Sequence, residues 1–223
     1  MDFKEAWDYQ KEIFNRLIEE KKNARQSSDN YNIKSPGTLI FVEHPHVYTL
    51  GKNGSGDNLL LNQMQLKAKN ISLWHIDRGG DITYHGPGQI VGYPIFDLEA
   101  MGVGLKGYIH GLEEAVIRTL SLYGLKGERM EGATGVWLNS ESVEKARKIC
   151  AIGVKVSRYI TMHGFALNVN TALEYFSYIN PCGFTDRGVT SLQKELGEPE
   201  DMEEVKRHLK DKLREVFNLE YIN

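Results

Sequence analysis

Two cysteines, Cys150 and Cys182, and a glycine-rich run from Arg78 to Gln89 hold most of the residue types in this chain that could do chemistry. A cysteine thiolate attacks carbonyl carbons and binds metals, so its surroundings decide its use. The two cysteines lack the paired spacing of a zinc site, and two thiols in a reducing compartment rarely form a disulfide. On composition alone, each reads as a small buried apolar residue. The run RGGDITYHGPGQ sets four glycines, a proline, an arginine and a histidine between two strand-like segments. Glycine lets backbone approach a ligand closely and reach positive φ. Neither GxxxxGK(S/T) nor a GxGxxG after a strand occurs, so this is no nucleotide phosphate loop. GKNGSG from Gly51 reads as an ordinary loop.

The elements that must position these residues follow from hydrophobic spacing. Phe3, Ala6, Trp7, Phe14, Leu17 and Ile18 recur at helical intervals, with Asp2 and Glu5 placed as a capping box. A polar stretch over residues 21–37 ends in Pro-Gly and predicts a loop. Alternating or β-branched runs predict strands at TLIFVEH, HVYTL, ISLWHIDR, QIVGYPIFDL, GVWLN, KICAIGVKV and YITMHGFALNVN. Helices are predicted over 108–123 and 202–217, with a helical turn at ALEYFSYI. Strand groups without regular helical crossovers predict an α+β fold. Its single domain over 1–223 has a mainly antiparallel or mixed sheet flanked by helices, and it is not doubly wound.

Charge narrows the function class. Lysine and arginine total 27 against 30 acidic residues, a net −3, which excludes the basic excess of a nucleic-acid binder. A local basic patch could still greet an acidic carrier protein. No apolar run approaches the ~18 residues of a membrane span. The start MDFKEAWDYQ lacks the pattern of a signal peptide. A cytoplasmic protein without membrane attachment is expected.

The segment RGGDITYHGPGQIVGYPIFDL resembles the signature of the octanoyltransferases of lipoate biosynthesis, the lipoyl(octanoyl) transferases. EHPHVYTLG from Glu43, GVWL from Gly135, KICAIGVKVSR from Lys148, HGFALNVN from His163 and INPCG from Ile179 resemble further segments of that family, in its order. The resemblance implies that Cys182 is the acyl-thioester nucleophile and that Lys148, which opens the KICAIG motif, sits beside it. Lys155 falls where the family often has arginine, and Cys150 is not at the nucleophile position. A free thiol has a pKa near about 8.5, and a neighbouring cation favours the thiolate. As a neutral amine, Lys148 could also relay the proton.

By the same resemblance, Arg78, Gly79, Gly80, Ile82, Thr83, Tyr84 and His85 line an acyl and phosphopantetheine pocket. Asp81 falls within that run at a position that varies in the family. Ala151, Ile152 and Gly153 make a second wall; Gly164, Phe165 and Ala166 make a third. His163 lines the same pocket and His44 is a weaker candidate, whereas His46, His75, His110 and His208 read as structural or surface residues. The implied fold is that of biotin and lipoate protein ligases. The implied donor is octanoyl-acyl carrier protein. The implied acceptors are lysines of lipoyl domains in 2-oxoacid dehydrogenase complexes and of the glycine cleavage H protein. No metal or other cofactor is implied. Three alternatives stay open: an ATP-dependent lipoate or biotin protein ligase, octanoyl transfer between lipoyl-type carrier proteins, and a non-catalytic module that binds acyl carrier protein. The first would need no cysteine and would carry a GRGRxG-type loop, which is absent here.

Overall fold

The computed structural model describes residues 1–26, 37–142, 144–180 and 187–222. The N-terminal apolar stripe forms helix α1 (Phe3–Gln26), which buries Phe3, Ala6, Ile13, Phe14 and Leu17 on one face. Asp2 Oδ1 accepts the Lys4 and Glu5 N–H groups at 2.8 and 3.4 Å, satisfying two donors that the first turn leaves free. The helix runs past Lys21, where sequence predicts a loop. Tertiary contact explains the extension. The Lys21 ammonium lies 2.7 Å from Asp97 Oδ1 and 2.6 Å from Glu99 Oε2, and the Lys21 and Asp97 side chains are 3% and 1% exposed. Arg25 continues the contact at Glu99. Residues 27–36 of the predicted loop lie outside the described residues.

Two sheets follow. The larger has strands β1 (Gly37–Val42), β5 (Gln89–Phe96), β8 (Ile160–Asn168), β7 (Arg147–Ser157) and β6 (Val136–Leu138), in that spatial order. The two-residue β9 (Gly188–Val189) lies beside β7. All pairs are antiparallel except β7 with β9. The smaller sheet orders β3 (Ser72–His75), β2 (Val47–Leu50) and β4 (Ile82–His85). Here β2 runs parallel to β3 and antiparallel to β4. Mixed sheets with flanking helices match the predicted α+β class.

β5 and β8 are buried along their whole length. One face carries Ile90, Phe165 and Leu167 against helices α3 (Leu105–Ser121) and α5 (Met202–Phe217), whose Leu112, Val116, Leu209 and Leu213 complete the main core. The other face carries Ile95, Ile160 and Met162 against α1. α5 begins and ends where its spacing predicts. Asp201 caps its N-terminus and Asn218, at φ 50°, closes it in the left-handed region. α3 starts three residues earlier than predicted.

Two short helices were not predicted, α2 (Gln63–Ala68) and α4 (Leu192–Leu196). Each buries one residue, Leu66 or Leu192, too few to set a period. The reciprocal capping box occurs at α2, where Asn62 and Gln65 exchange side-chain bonds with each other's N–H. β4 lies inside the glycine-rich run that sequence places between strands. Four residues paired to β2 suffice to make it a strand. Among the described residues, no helix is long and apolar enough to cross a membrane.

Removing one partner of a buried ion pair leaves the other charge uncompensated. Lys21→Met is therefore expected to lower unfolding free energy by about 3–5 kcal/mol, while Arg25→Ala, at the exposed end of the cluster, costs under about 1 kcal/mol. Urea denaturation measures both. Equal midpoints for Lys21→Met and the parent chain would contradict the assignment.

Candidate active site

The turn after β2 and the start of the glycine-rich run lie side by side. Gly51, Lys52 and Asn53 donate their N–H groups to the carbonyls of Asp81, Arg78 and Gly80 at 3.0–3.2 Å. The GKNGSG segment, read from sequence as an ordinary loop, is thus the support of the Arg78–Asp81 turn. Arg78 folds back into this support. Its Nη2 donates to Thr49 O at 2.7 Å, its Nε to Thr49 Oγ1 at 3.3 Å and its Nη1 to Gly79 O at 3.0 Å. The turn reaches the large sheet through a bond of 2.9 Å from Gly79 N–H to Val154 O. Approach this close leaves no room for side chains. A Cβ on Gly51 would lie 2.4 Å from Gly80 O, and one on Gly153 would lie 2.9 Å from Gly79 O.

Between the two sheets is a cavity of about 390 Å³ with largely apolar walls. Its first wall is Arg78, Gly79, Gly80, Asp81, Ile82, Thr83 and His85. Ala151, Ile152 and Gly153 of β7 form the second, and Gly164, Phe165 and Ala166 of β8 the third. Tyr84 and the weaker candidate His44 are the described residues of the predicted lining that do not line the cavity; Tyr84 lies on β4. Alternation along β4 sends the Tyr84 side chain, with that of Ile82, to the Tyr48 and Leu50 side of the small sheet, although Ile82 still borders the cavity. There Tyr84 stacks on Tyr175 at 5.0 Å between ring centres and bonds to His46 through its hydroxyl. Asp81 accepts from the Ile82 N–H at 2.7 Å and from the Asn58 amide.

The inner end of the cavity is lined by Phe3, Val91, Tyr93, His85, Gln89 and His163. His85 Nδ1–H donates to Gln89 Oε1 at 2.8 Å. The Gln89 amide donates to Asn168 Oδ1 at 2.8 Å, and the Asn168 amide to Thr190 O at 3.0 Å. This chain ties β4 to β5, β8 and the segment after β9. Burial, reinforced by the nearby His44, lowers the His85 pKa to about 3. His44 lies outside the cavity lining. It donates from Nδ1 to Met1 O and accepts the Tyr93 hydroxyl at Nε2, and burial lowers its pKa to about 4.

His163 sits mid-strand at φ 62°, rare for a residue with a side chain. Its N–H donates to Gln10 Oε1 and its Nε2–H to Asp77 Oδ1, both at 3.0 Å. The His163 side-chain bond, and after it the one from Lys155, hold Asp77 well below the usual carboxylate range against the opposing effect of burial. Lys155 is thus engaged with Asp77 and lies over the Phe14 ring. Lys148, by contrast, lines the cavity, with Nζ 3.2 Å from Thr134 O and 4.6 Å from the centre of the Trp137 ring.

Cys182 lies outside the described residues, as do its neighbours over 181–186. The chain on either side is described. Asn180 N–H donates to Asn58 O, and Asn58 holds Asp81. Arg187, Gly188 and Val189 line the cavity, with Val189 the register partner of Lys148. Cys150 is fully buried, and burial pushes its thiol pKa up. Sequence reasoning missed Thr49, Asp77, Gln89 and Asn168. Thr49, Gln89 and Asn168 stand inside motifs already singled out; nothing local marks Asp77.

Stability should therefore depend on pH through the buried histidines. Above their unfolded pKa of 6.5 neither the folded nor the unfolded chain binds these protons, and the contribution is complete. Between about pH 6.5 and about pH 3 the unfolded chain takes up protons that folded His44 and His85 refuse, so stability falls as pH drops. The urea midpoint is expected to decline over that window, and less steeply in His85→Gln. A flat or rising midpoint would contradict neutral burial.

Comparison with known proteins places this geometry. Residues 2–214 match the lipoyl protein ligase A/B catalytic domain. An octanoyltransferase from Parabacteroides distasonis is 56% identical over 215 residues, covering 96% of this chain and 94% of that protein. One from Bacteroides fragilis is 58% identical over 207 residues, covering 93% and 90%. Among solved structures, a lipoate-protein ligase A bound with ATP superposes with a TM-score of 0.67 at 17% identity, over 83% of this chain and 74% of its own. A bi-partite lipoate protein ligase from Thermoplasma acidophilum gives 0.67 at 17% identity, over 94% and 81%. These two structures share the fold. The domain match and the sequence relatives establish that the chain belongs to the lipoyl protein ligase A/B catalytic domain family and, within it, to the octanoyltransferases, which are acyltransferases.

Proposed function

We propose that residues 1–223 form one cytoplasmic catalytic domain that takes an octanoyl group from octanoyl-acyl carrier protein onto Cys182 and passes it to a lysine of a lipoyl domain. Acceptors of this kind occur in 2-oxoacid dehydrogenase complexes and in the glycine cleavage H protein. The observation that carries this reading is the apolar cavity. It is bordered by Lys148 and by the chain that resumes at Arg187, five residues after Cys182. Its volume of about 390 Å³ suits a small acyl ligand. The neutral state of His85 keeps the inner end free of charge, as an alkyl chain requires.

In the first step the Cys182 thiolate attacks the donor's thioester carbonyl. A new carbon–sulfur bond forms, the donor's breaks, and the carrier leaves as a thiol after taking a proton. In the second step the acceptor ε-amine attacks the acyl-enzyme. An amide forms, the Cys182 carbon–sulfur bond breaks, and a proton from the amine returns to the sulfur. The Lys148 ammonium favours the thiolate in both its attacking and leaving roles. As a neutral amine it can shuttle the proton. Cys150, buried with its thiol pKa raised, is a poor nucleophile by comparison.

Intact-protein mass spectrometry after incubation with octanoyl-acyl carrier protein, without ATP, tests the reading. One octanoyl group is expected on the parent chain, none on Cys182→Ala, and formation slowed about a hundredfold in Lys148→Ala. An adduct on Cys150, or one that forms only when ATP is added, would overturn it.

A further inference from the structure

We infer that Glu113 is a positioning residue that aims the Lys148 ammonium through a single peptide unit. The inference rests on the reading above, in which Lys148 activates the nucleophile. Glu113 lies on the face of α3 that also carries Leu112, Ala115 and Val116, and it is 8% exposed. A carboxylate on a buried helix face needs compensation. Part comes from Arg129, whose Nε is 3.2 Å from Glu113 Oε2. The rest comes from backbone, because Glu113 Oε1 accepts the Gly135 N–H at 3.1 Å.

The other end of that same peptide bond is Thr134 O, which accepts the Lys148 ammonium at 3.2 Å. One peptide plane is therefore held by an anion at its N–H and by a cation at its carbonyl. The arrangement is cooperative. An anion on the N–H draws density toward the carbonyl oxygen and makes it a better acceptor. The orientation is also one the chain would not adopt unaided. Gly135 has φ 122°, and a Cβ there would lie 2.5 Å from Cys150 O. Glu113 fixes which way this peptide points.

Lys148 has a second anchor in the strand that follows this loop. Its Nζ lies over Trp137, its register partner across β6 and β7, whose indole N–H donates to Ala133 O at 2.8 Å. The Ala133–Thr134–Gly135 turn thus sets the ammonium's place. With Glu113 gone, the peptide is free to rotate, the Thr134 carbonyl turns away and the ammonium loses this acceptor. A purely structural Glu113–Arg129 pair would predict something different, a loss of stability with no link to Lys148.

A double-mutant cycle separates the two. The readouts are the single-turnover rate of Cys182 acylation, the pH midpoint of Cys182 alkylation by iodoacetamide resolved by peptide, and the thermal midpoint. Glu113→Ala is expected to slow acylation about tenfold and move the alkylation midpoint to higher pH. Glu113→Gln keeps an acceptor for the Gly135 N–H and is expected to lose only about threefold. In a Lys148→Ala background neither substitution should slow acylation further. If Glu113→Ala does not fold, the cycle runs on Glu113→Gln alone. Equal slowing in both backgrounds, or an unmoved alkylation midpoint, overturns the positioning role. If Lys148→Ala itself leaves rate and midpoint unchanged, the lysine's proposed role fails instead, a separate outcome.

Discussion

Backbone contact between the two sheets governs the rest of the molecule. The Gly79 N–H bond to Val154 O holds a turn of the small sheet directly against β7, at a distance no side chain can share. Gly51 and Gly153 stand on either side of that turn because a Cβ at either would strike its carbonyls. Arg78 makes the turn rigid from within by bonding Thr49 on the neighbouring strand. Fixing the separation of the sheets at this point fixes the width of the space beside it. Where glycines such as Gly79, Gly80, Gly153 and Gly164 form the walls, the slot keeps its shape when empty, which reduces the ordering cost of filling it.

Charge is distributed around that slot with a consistent logic. The interior polar groups are histidines and amides satisfied by one another, from His85 through Gln89 to Asn168, and burial keeps the imidazoles neutral. Full charges appear where they are paired. Asp77 sits between His163 and Lys155, and Glu113 between Arg129 and the Gly135 N–H. Lys148 lines the cavity with its ammonium against a carbonyl and an aromatic face. Neither of these contacts removes its positive charge.

The long elements were legible because many buried residues repeat the same period. α5 is the clearest, with Val205, Leu209 and Leu213 on one face and a capping aspartate before it. Where tertiary contact outweighs local pattern, sequence was silent. The last turn of α1 looks polar, yet Lys21 is buried by Asp97. β4 is hidden among glycines because pairing with β2, not propensity, makes it a strand. The motif residues were identifiable as a group, but their division of labour was not. Arg78 binds its own turn as well as lining the cavity, and Tyr84 faces away, since a run of residues in a strand cannot all point one way. Glu113 had a visible signal, an acid on an otherwise apolar helix face, and its meaning needed the loop it holds.

The fold by itself does not choose the chemistry. The ATP-bound ligase shares this architecture at 17% identity, so the chemistry rests on the side chains that each protein places on it. An acid must be activated before it can acylate an amine, and a ligase supplies that activation from a nucleotide. A thioester arrives already activated. Its exchange with a cysteine is nearly level in free energy, and its conversion to an amide runs downhill. On that route the protein need only hold the alkyl chain, exclude water and keep a sulfur ionised. In the proposed reading, the apolar walls and the Lys148 ammonium meet the first and last of these needs. On that reading, the smallness of the requirement accounts for glycines along the walls and for polar groups, such as Gln89 and Asn168, that serve mainly to hold other groups in place.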